Sequence, residues 1–130
     1  MALLDAYLTA GLNAARALAG RPVIVRTGPP GSPSATVQAL PHGTIDNADP
    51  DRGLVRLRGM RDWVLYVPDL IFDGVAEFPA LGWEIDTMEN GQTLTYRVLP
   101  PNPNDDIHER VTPDQNWLLV HTKLVAGAPG

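Results

Sequence analysis

The sequence predicts a mainly β fold: a small β-barrel or sandwich of about six to eight short strands with one N-terminal α-helix. Three observations lead there. Apolar residues recur at helical spacing only within residues 3–19. The chain carries 13 prolines and 12 glycines, which leave no room for a second long helix. Between these breakers lie short runs rich in β-branched and aromatic residues, the composition of strands. With 130 residues, one domain over 1–130 is the natural expectation: helix 3–19, barrel 22–125 and a frayed tail at 126–130.

The elements follow in order. Leu4, Leu8, Leu12, Ala15 and Ala19 form one apolar stripe, Gly20 supplies a stop, and Pro22 lies just beyond it. "PVIVRT" (22–27) reads as a strand. "TGPPGSPS" (27–34) breaks helix and ladder alike and reads as an extended loop. "ATVQAL" (35–40) is a second strand, and "PHGTIDNADPDRG" (41–53) is mostly turn. "LVRLRG" (54–59) pairs with "DWVLYVP" (62–68), whose Trp63, Leu65 and Val67 alternate with Val64 and Tyr66. Both faces of that strand are apolar, as expected where it is covered on two sides. "DLIFDGVAEF" (69–78) is a short strand or 3₁₀ piece. "PPNPNDD" (100–106) is a proline-rich loop, and "NWLLVHTKLV" (116–125) is the last strand.

The clearest local signal is a β-hairpin at 79–100. A Pro79-Ala80-Leu81-Gly82 turn leads into a strand where Trp83 and Ile85 alternate with Glu84 and Asp86. Asn90-Gly91 then reverses the chain, because a type I′ turn needs positive φ at both central positions. Leu94, Tyr96 and Val98 return on one face, against Thr93, Thr95 and Arg97 on the other. Pro79, Gly82, Trp83, Asn90, Gly91 and Tyr96 are the residues that set this hairpin's register.

Composition excludes several functions. There is no cysteine, so disulfides, thiolate metal sites and thiol catalysis are ruled out. A net charge of −5 and a pI near 4.9 speak against a protein that wraps nucleic acid. No apolar run approaches the ~20 residues of a membrane span. The N-terminal segment does not read as a signal peptide, since Asp5 comes early and Arg16 interrupts its apolar part. Charged residues are only 19%, a thin supply for an isolated monomer and a sign of surface covered by partners.

Candidate chemistry is sparse. His42, His108 and His121 lack the spacing of a helical metal pair; two read as solvated and one as strand-surface. Asn47, Asp49 and Asp51 imitate the start of a calcium loop, but Arg52 and Arg58 stand where glycine and glutamate belong, so this is a turn. Asp105, Asp106, His108 and Glu109 form a solvated acidic loop rather than an acid–base site, which needs burial. "GPPGSP" lacks the lysine and helix start of a phosphate cradle. Trp63, Trp83 and Trp117 are core or interface aromatics. Arg56, Arg58 and Arg61 are the only basic cluster, too small to hold DNA and suited to pairing with an acidic neighbour. No catalytic, metal or cofactor-binding residue is expected, and the chain is read as a non-enzyme.

Four pieces in order resemble small neck proteins of tailed bacteriophages, the head-closure (stopper) and head–tail joining proteins. They are the helix running through "AGRPVIVRTG" into the first strand, "RDWVLYVPDLIF", "FPALGWEIDTMENGQTLTYRVLPP" and the closing "WLLVHTKLV". The third looks like that group's Pro-x-x-Gly hairpin, except that Trp83 replaces the frequent aspartate after Gly82. The resemblance implies a β-barrel assembled as a ring of 6 or 12 copies beneath the portal and adaptor, continuing the DNA channel to the tail-tube or tail-terminator proteins. It implies passage of double-stranded DNA without specific binding, no membrane partner, and a place in the virion neck after assembly in the host cytoplasm. It also implies loops that gate the channel or lock onto neighbours. Gly28, Pro29, Pro30, Gly31, Ser32 and Pro33 are the candidates for the first part, and Asn102, Asn104, Asp105 and Asp106 for the second. The alternatives are a tail-terminator or tail-completion ring, and a monomeric β-barrel module binding a ligand or peptide at Trp63 or Trp83.

Overall fold

The structure, a computed structural model, describes residues 3–45 and 60–126, with side chains over 8–41 and 60–126. Arg56, Arg58, the 54–59 strand, the calcium-like turn and tail residues 127–130 lie outside the described residues. Among the described residues, one helix, α1 (Leu3–Ala19), precedes nine strands. They are β1 (Arg21–Arg26), β2 (Ser34–Ile45), β3 (Met60–Tyr66), β4 (Ile71–Phe72), β5 (Val75–Ala76), β6 (Glu84–Glu89), β7 (Gln92–Val98), β8 (His108–Arg110) and β9 (Trp117–Ala126). A 3₁₀ turn at Val67–Asp69 separates β3 from β4.

Six strands close a barrel in the order β3-β2-β1-β6-β7-β9, with β9 returning to β3. All of these pairs are antiparallel. Closure removes the open edges that would otherwise template aggregation. β8 continues beside β9 past the end of β7, pairing His108 with Val120 and Arg110 with Leu118. The mainly β fold expected from the sequence is therefore present, in its barrel form, with one added strand and the N-terminal helix.

Period-2 alternation fills the barrel. Val23 and Val25, Val37 and Ala39, Trp63 and Leu65, Ile85, Leu94, Tyr96 and Val98, and Leu118 and Val120 form one buried core. Trp63 meets Tyr96 edge-on at 6.0 Å between ring centroids. The interior is packed side chain against side chain and is not a pore.

Several details depart from the sequence reading. Residues 41–45 are strand, not turn, because β2 runs on to pair with β3 after β1 has ended. Pro41 is tolerated there since β1 no longer needs its N–H, and Gly43 falls in the register shift between His42 and Thr44. The 27–33 segment is not an extended loop: Thr27 N–H donates to the Pro33 carbonyl at 3.0 Å and Ser32 N–H to that of Pro29 at 3.1 Å. The 69–78 run is a 3₁₀ end followed by a tight hairpin, β4–β5. Asp73 (φ 51°) and Gly74 (φ 82°) turn it as Asn90 (φ 52°) and Gly91 (φ 78°) turn β6–β7.

The helix is also less covered than its stripe suggests. Leu8, Leu12 and Arg16 are half-buried, but Ala15 and Ala19 are exposed and Leu18 is 91% exposed. Arg16, not alanine, makes the contact at the C-terminal end. Its guanidinium lies 5.3 Å from the Tyr66 ring and 5.1 Å from Trp117, and pairs with Asp69 at 2.8 Å.

Candidate functional site

The outer face of β1, β6 and β7 carries an ionic ladder. Alternation turns Val25, Ile85 and Tyr96 inward, so Arg26, Glu84, Asp86, Thr95 and Arg97 face outward on adjacent strands. Arg26 donates to Glu84 Oε1 at 2.7 Å and also to Asp86. Arg97 donates to Glu84 Oε2 at 2.9 Å, and Thr95 Oγ1 to Asp86 Oδ1 at 2.7 Å. Glu84 is buried beneath these partners, although its place on the outer face would ordinarily leave it wet. Burial alone raises a carboxyl's pKa; the hydrogen bonds and charges of Arg26 and Arg97 outweigh it and hold Glu84 below the usual range. Burial acts to lower the pKa of Arg26, but Asp86 and Glu84 more than offset this and raise it.

A second set stoppers one end of the barrel. β1 and β6 pair only through residues 24–26 and 84–86, then diverge. Arg21, Glu89 and Arg61 bridge that gap. Arg21 pairs with Glu89 at 2.7 Å, and Arg61 pairs with the same carboxylate oxygen. Arg61 lies over Tyr96 at 5.0 Å and Trp63 at 5.5 Å, so this ionic cluster sits on an aromatic floor. Burial pushes the Glu89 carboxyl up, yet Arg61 and Arg21 bring it below its ordinary value. A shallow recess of about 610 Å³ lies beside them, lined by Arg21, Pro22, Arg61, Met88, Glu89 and Asn90. Of the basic cluster named from sequence, Arg61 thus faces the barrel's end and is bound to its own chain.

The third set is His121. Its Nδ1 lies 2.8 Å from Asp62 Oδ1 and its Nε2 lies 3.1 Å from Glu109 Oε2. His121 and Asp62 are buried, while the Glu109 side chain is 64% exposed. His121 is therefore not a strand-surface residue; β8 and the strand pairing of β3 with β9 enclose it. His108 is half-buried and its ring is not part of this set. Asp105 and Asp106 are exposed in the 101–106 loop, where Asn102 Nδ2 donates to Asp105 Oδ2 at 2.8 Å. Glu109 therefore pairs with His121, on a different strand, and not with the loop carboxylates.

No group of His, Asp and Glu among the described residues is arranged to hold a metal ion. No helix among them is long and apolar enough to cross a membrane. Trp63, Trp83 and Trp117 are buried, and Trp83 stacks edge-on with Phe72 at 5.0 Å. Of the loop residues singled out from sequence, Gly28 is buried against Ser32, and Pro29, Pro30, Gly31 and Pro33 are exposed. Asn102 and Asn104 are exposed as well, and the structure does not bring the two loops' residues into contact through any hydrogen bond among the described residues.

The sequence reading missed the ladder, although its signal was present. An Asn90-Gly91 turn fixes Glu84 opposite Arg97, as the observed register has it. Arg26 could not be placed from sequence, because its partners lie 58 and 60 residues away.

Comparison with known proteins adds the decisive observation. A family model for phage head-tail joining protein matches residues 1–129. No curated protein and no solved structure gave a significant match. The chain belongs to the phage head-tail joining family, which gives it a structural role in the neck of the virion, among head and tail components.

Proposed function

We propose that this head-tail joining protein forms the head-completion, or stopper, ring of the neck, joining portal and adaptor to the tail and continuing the DNA channel. The observation that carries the reading is the filled barrel. Trp63, Leu65, Ile85 and Val120 occupy its interior, and the Arg21–Glu89–Arg61 cluster spans one end. A duplex therefore has no path through one chain, and a channel needs a lumen bounded by several copies. A ring of 6 or 12 copies supplies it, and multiplicity strengthens weak contacts between neighbours. The net charge of −5 per chain repels phosphates, which suits passage over binding.

In this reading the 28–33 and 102–106 loops lie where a ring touches the channel or the next ring, while the 79–100 hairpin holds them at fixed positions. Assembly takes place in the host cytoplasm. A tail-terminator ring is the alternative within the same architecture. The monomeric binding module is disfavoured, since Trp63 and Trp83 are packed into the core rather than lining a pocket.

The test is electron microscopy of particles made with and without the chain. A stopper predicts density at the neck, and heads lacking the chain should lose DNA and fail to join tails. A terminator predicts full heads with tails of uncontrolled length. Heads that lack the chain yet retain DNA and join normal tails overturn both.

A further inference from the structure

One residue holds both ends of the 100–106 loop. Leu99 N–H donates to the His121 carbonyl at 3.2 Å where the chain leaves β7, and His121 N–H donates to the Ile107 carbonyl at 2.8 Å where it enters β8. Between those bonds the loop is tied to itself. Asp105 N–H donates to the Asn102 carbonyl at 3.0 Å, and the Asn102 side-chain amide donates to the Asp105 carboxylate. Residues 102–106 are exposed, and no hydrogen bond among the described residues ties them to the barrel directly. The loop is a small folded unit hinged on the backbone of His121.

The side chain of the same residue adds a third tie. Its Nδ1 lies 2.8 Å from Asp62 on β3, and its Nε2 lies 3.1 Å from Glu109 on β8, just beyond the loop. An ionised carboxylate only accepts, so each contact is a hydrogen bond only when the facing ring nitrogen carries a proton. Neutral imidazole has one N–H and one lone pair. It satisfies one carboxylate and turns the lone pair on the other; imidazolium bonds both.

The two carboxylates are not equally free to leave. Asp62 is buried and has a further interaction besides the ring. Glu109 is mostly exposed, and His121 is its one ion-pair partner among the described residues. β8 is three residues long and pairs with β9 alone. Other charged or titratable groups stand nearby. Lys123 follows two places along β9, with Arg97 opposite it on β7, and His42 is opposite Asp62 in the β2–β3 register. His108 and Arg110 flank Glu109, and Asp114 bonds to Thr112 and Asn116. Among the described residues, only Asp62 and Glu109 bond to the ring nitrogens.

We infer that His121 is a proton-dependent clasp for β8 and the 100–106 loop. The charged ring fastens Glu109 to the barrel. When Nε2 gives its proton to solvent, Asp62 keeps the Nδ1 hydrogen, Glu109 faces a lone pair, and the loop's two backbone ties loosen. Fastening is thus present at lower pH and lost as pH rises through the titration of the ring. The clasp is a property of the chain alone and does not depend on the neck role.

The experiment follows the full 15N-labelled chain by NMR from about pH 5 to about pH 9, a span that brackets histidine titration. Ring 15N shifts report the protonation of His121. Amide exchange at Leu99 and His121, corrected for the intrinsic rate at each pH, reports the loop. Protection should be high while the ring is charged and fall about twofold to fivefold as it loses its proton, the range that an exposed ion pair supports. Glu109→Gln should hold protection constant across the titration, since an amide both accepts from N–H and donates to a lone pair. Protection that stays constant through the titration of the unaltered chain overturns the clasp. So does a ring that keeps one protonation state over the whole span, or a Glu109→Gln chain that loosens like the original.

Discussion

Replacing Glu84 with glutamine tests the ionic ladder directly. The side chain is nearly isosteric, so the change removes charge and one acceptor while leaving the packing intact. Two arms are lost. Arg97 is 44% exposed, so its arm is screened by solvent and is worth up to about 1 kcal/mol. Arg26 is mostly buried, and a charged hydrogen bond of that kind is worth about 1.5–3 kcal/mol. Removing one partner of a fully buried pair costs about 3–5 kcal/mol, but Asp86 still neutralises Arg26 here. The expected loss is therefore about 2–4 kcal/mol at pH 7, or roughly 10 °C in Tm for a chain of this size.

Urea unfolding followed by tryptophan fluorescence measures it, with the pH dependence as an internal check. Glu84 is depressed in the folded state, so its contribution is complete above the unfolded value near 4.5 and disappears as pH falls through the lower folded value. The gap between wild type and Glu84→Gln should thus be widest at neutral pH and shrink below pH 4.5. A loss under about 0.5 kcal/mol at pH 7, or a gap unchanged by acid, refutes the reasoning; both limits lie outside the range derived from the pair energies.

Further outcomes follow from the same geometry. Gly91→Ala should cost about 1–2 kcal/mol in unfolding experiments, because φ at 78° strains any side chain although nothing lies near its Cβ. His121→Ala should cost about 1–3 kcal/mol by leaving buried Asp62 without its imidazole, whereas Glu109→Gln, altering an exposed pair, should cost less than about 1 kcal/mol. Equal losses for these two would mean that the Asp62 contact does not carry the set. Phe72→Ala should cost about 3–5 kcal/mol and Phe78→Ser under about 0.5 kcal/mol, since the first ring is buried against Trp83 and the second is exposed.

What could be read from sequence was local. The β6–β7 hairpin announced itself through Asn90-Gly91, and alternation separated Leu94, Tyr96 and Val98 from the wet face. The same kind of turn at Asp73-Gly74 was missed because its flanking strands are only two residues each, too short to show a period. Pro41 and Gly43 read as turn residues, yet a strand with one free side and a register shift absorbs both. Long-range polar sets left no local trace. His121 reaches Asp62 across 59 positions, and only closure of β3 onto β9 brings them together. A strand with apolar residues on both faces pointed to double coverage, but not to the histidine beneath that cover.

The scarcity of charge now has a physical meaning. In an isolated soluble protein, lysines and arginines keep the surface wet. Here most described arginines are turned onto the barrel's own carboxylates: Arg26 and Arg97 hold β1, β6 and β7 together, Arg21 and Arg61 span the gap between β1 and β6, and Arg16 straps the helix to the barrel. The cations are thus used to lock the barrel, and the exposed carboxylates they leave include Asp73, Glu77, Asp105 and Asp106. Such a chain meets its surroundings as an acidic body, with a net charge of −5. In the stopper reading proposed above, that charge suits DNA passing the ring without binding it, while the internal ion pairs keep the barrel that faces the DNA in one shape.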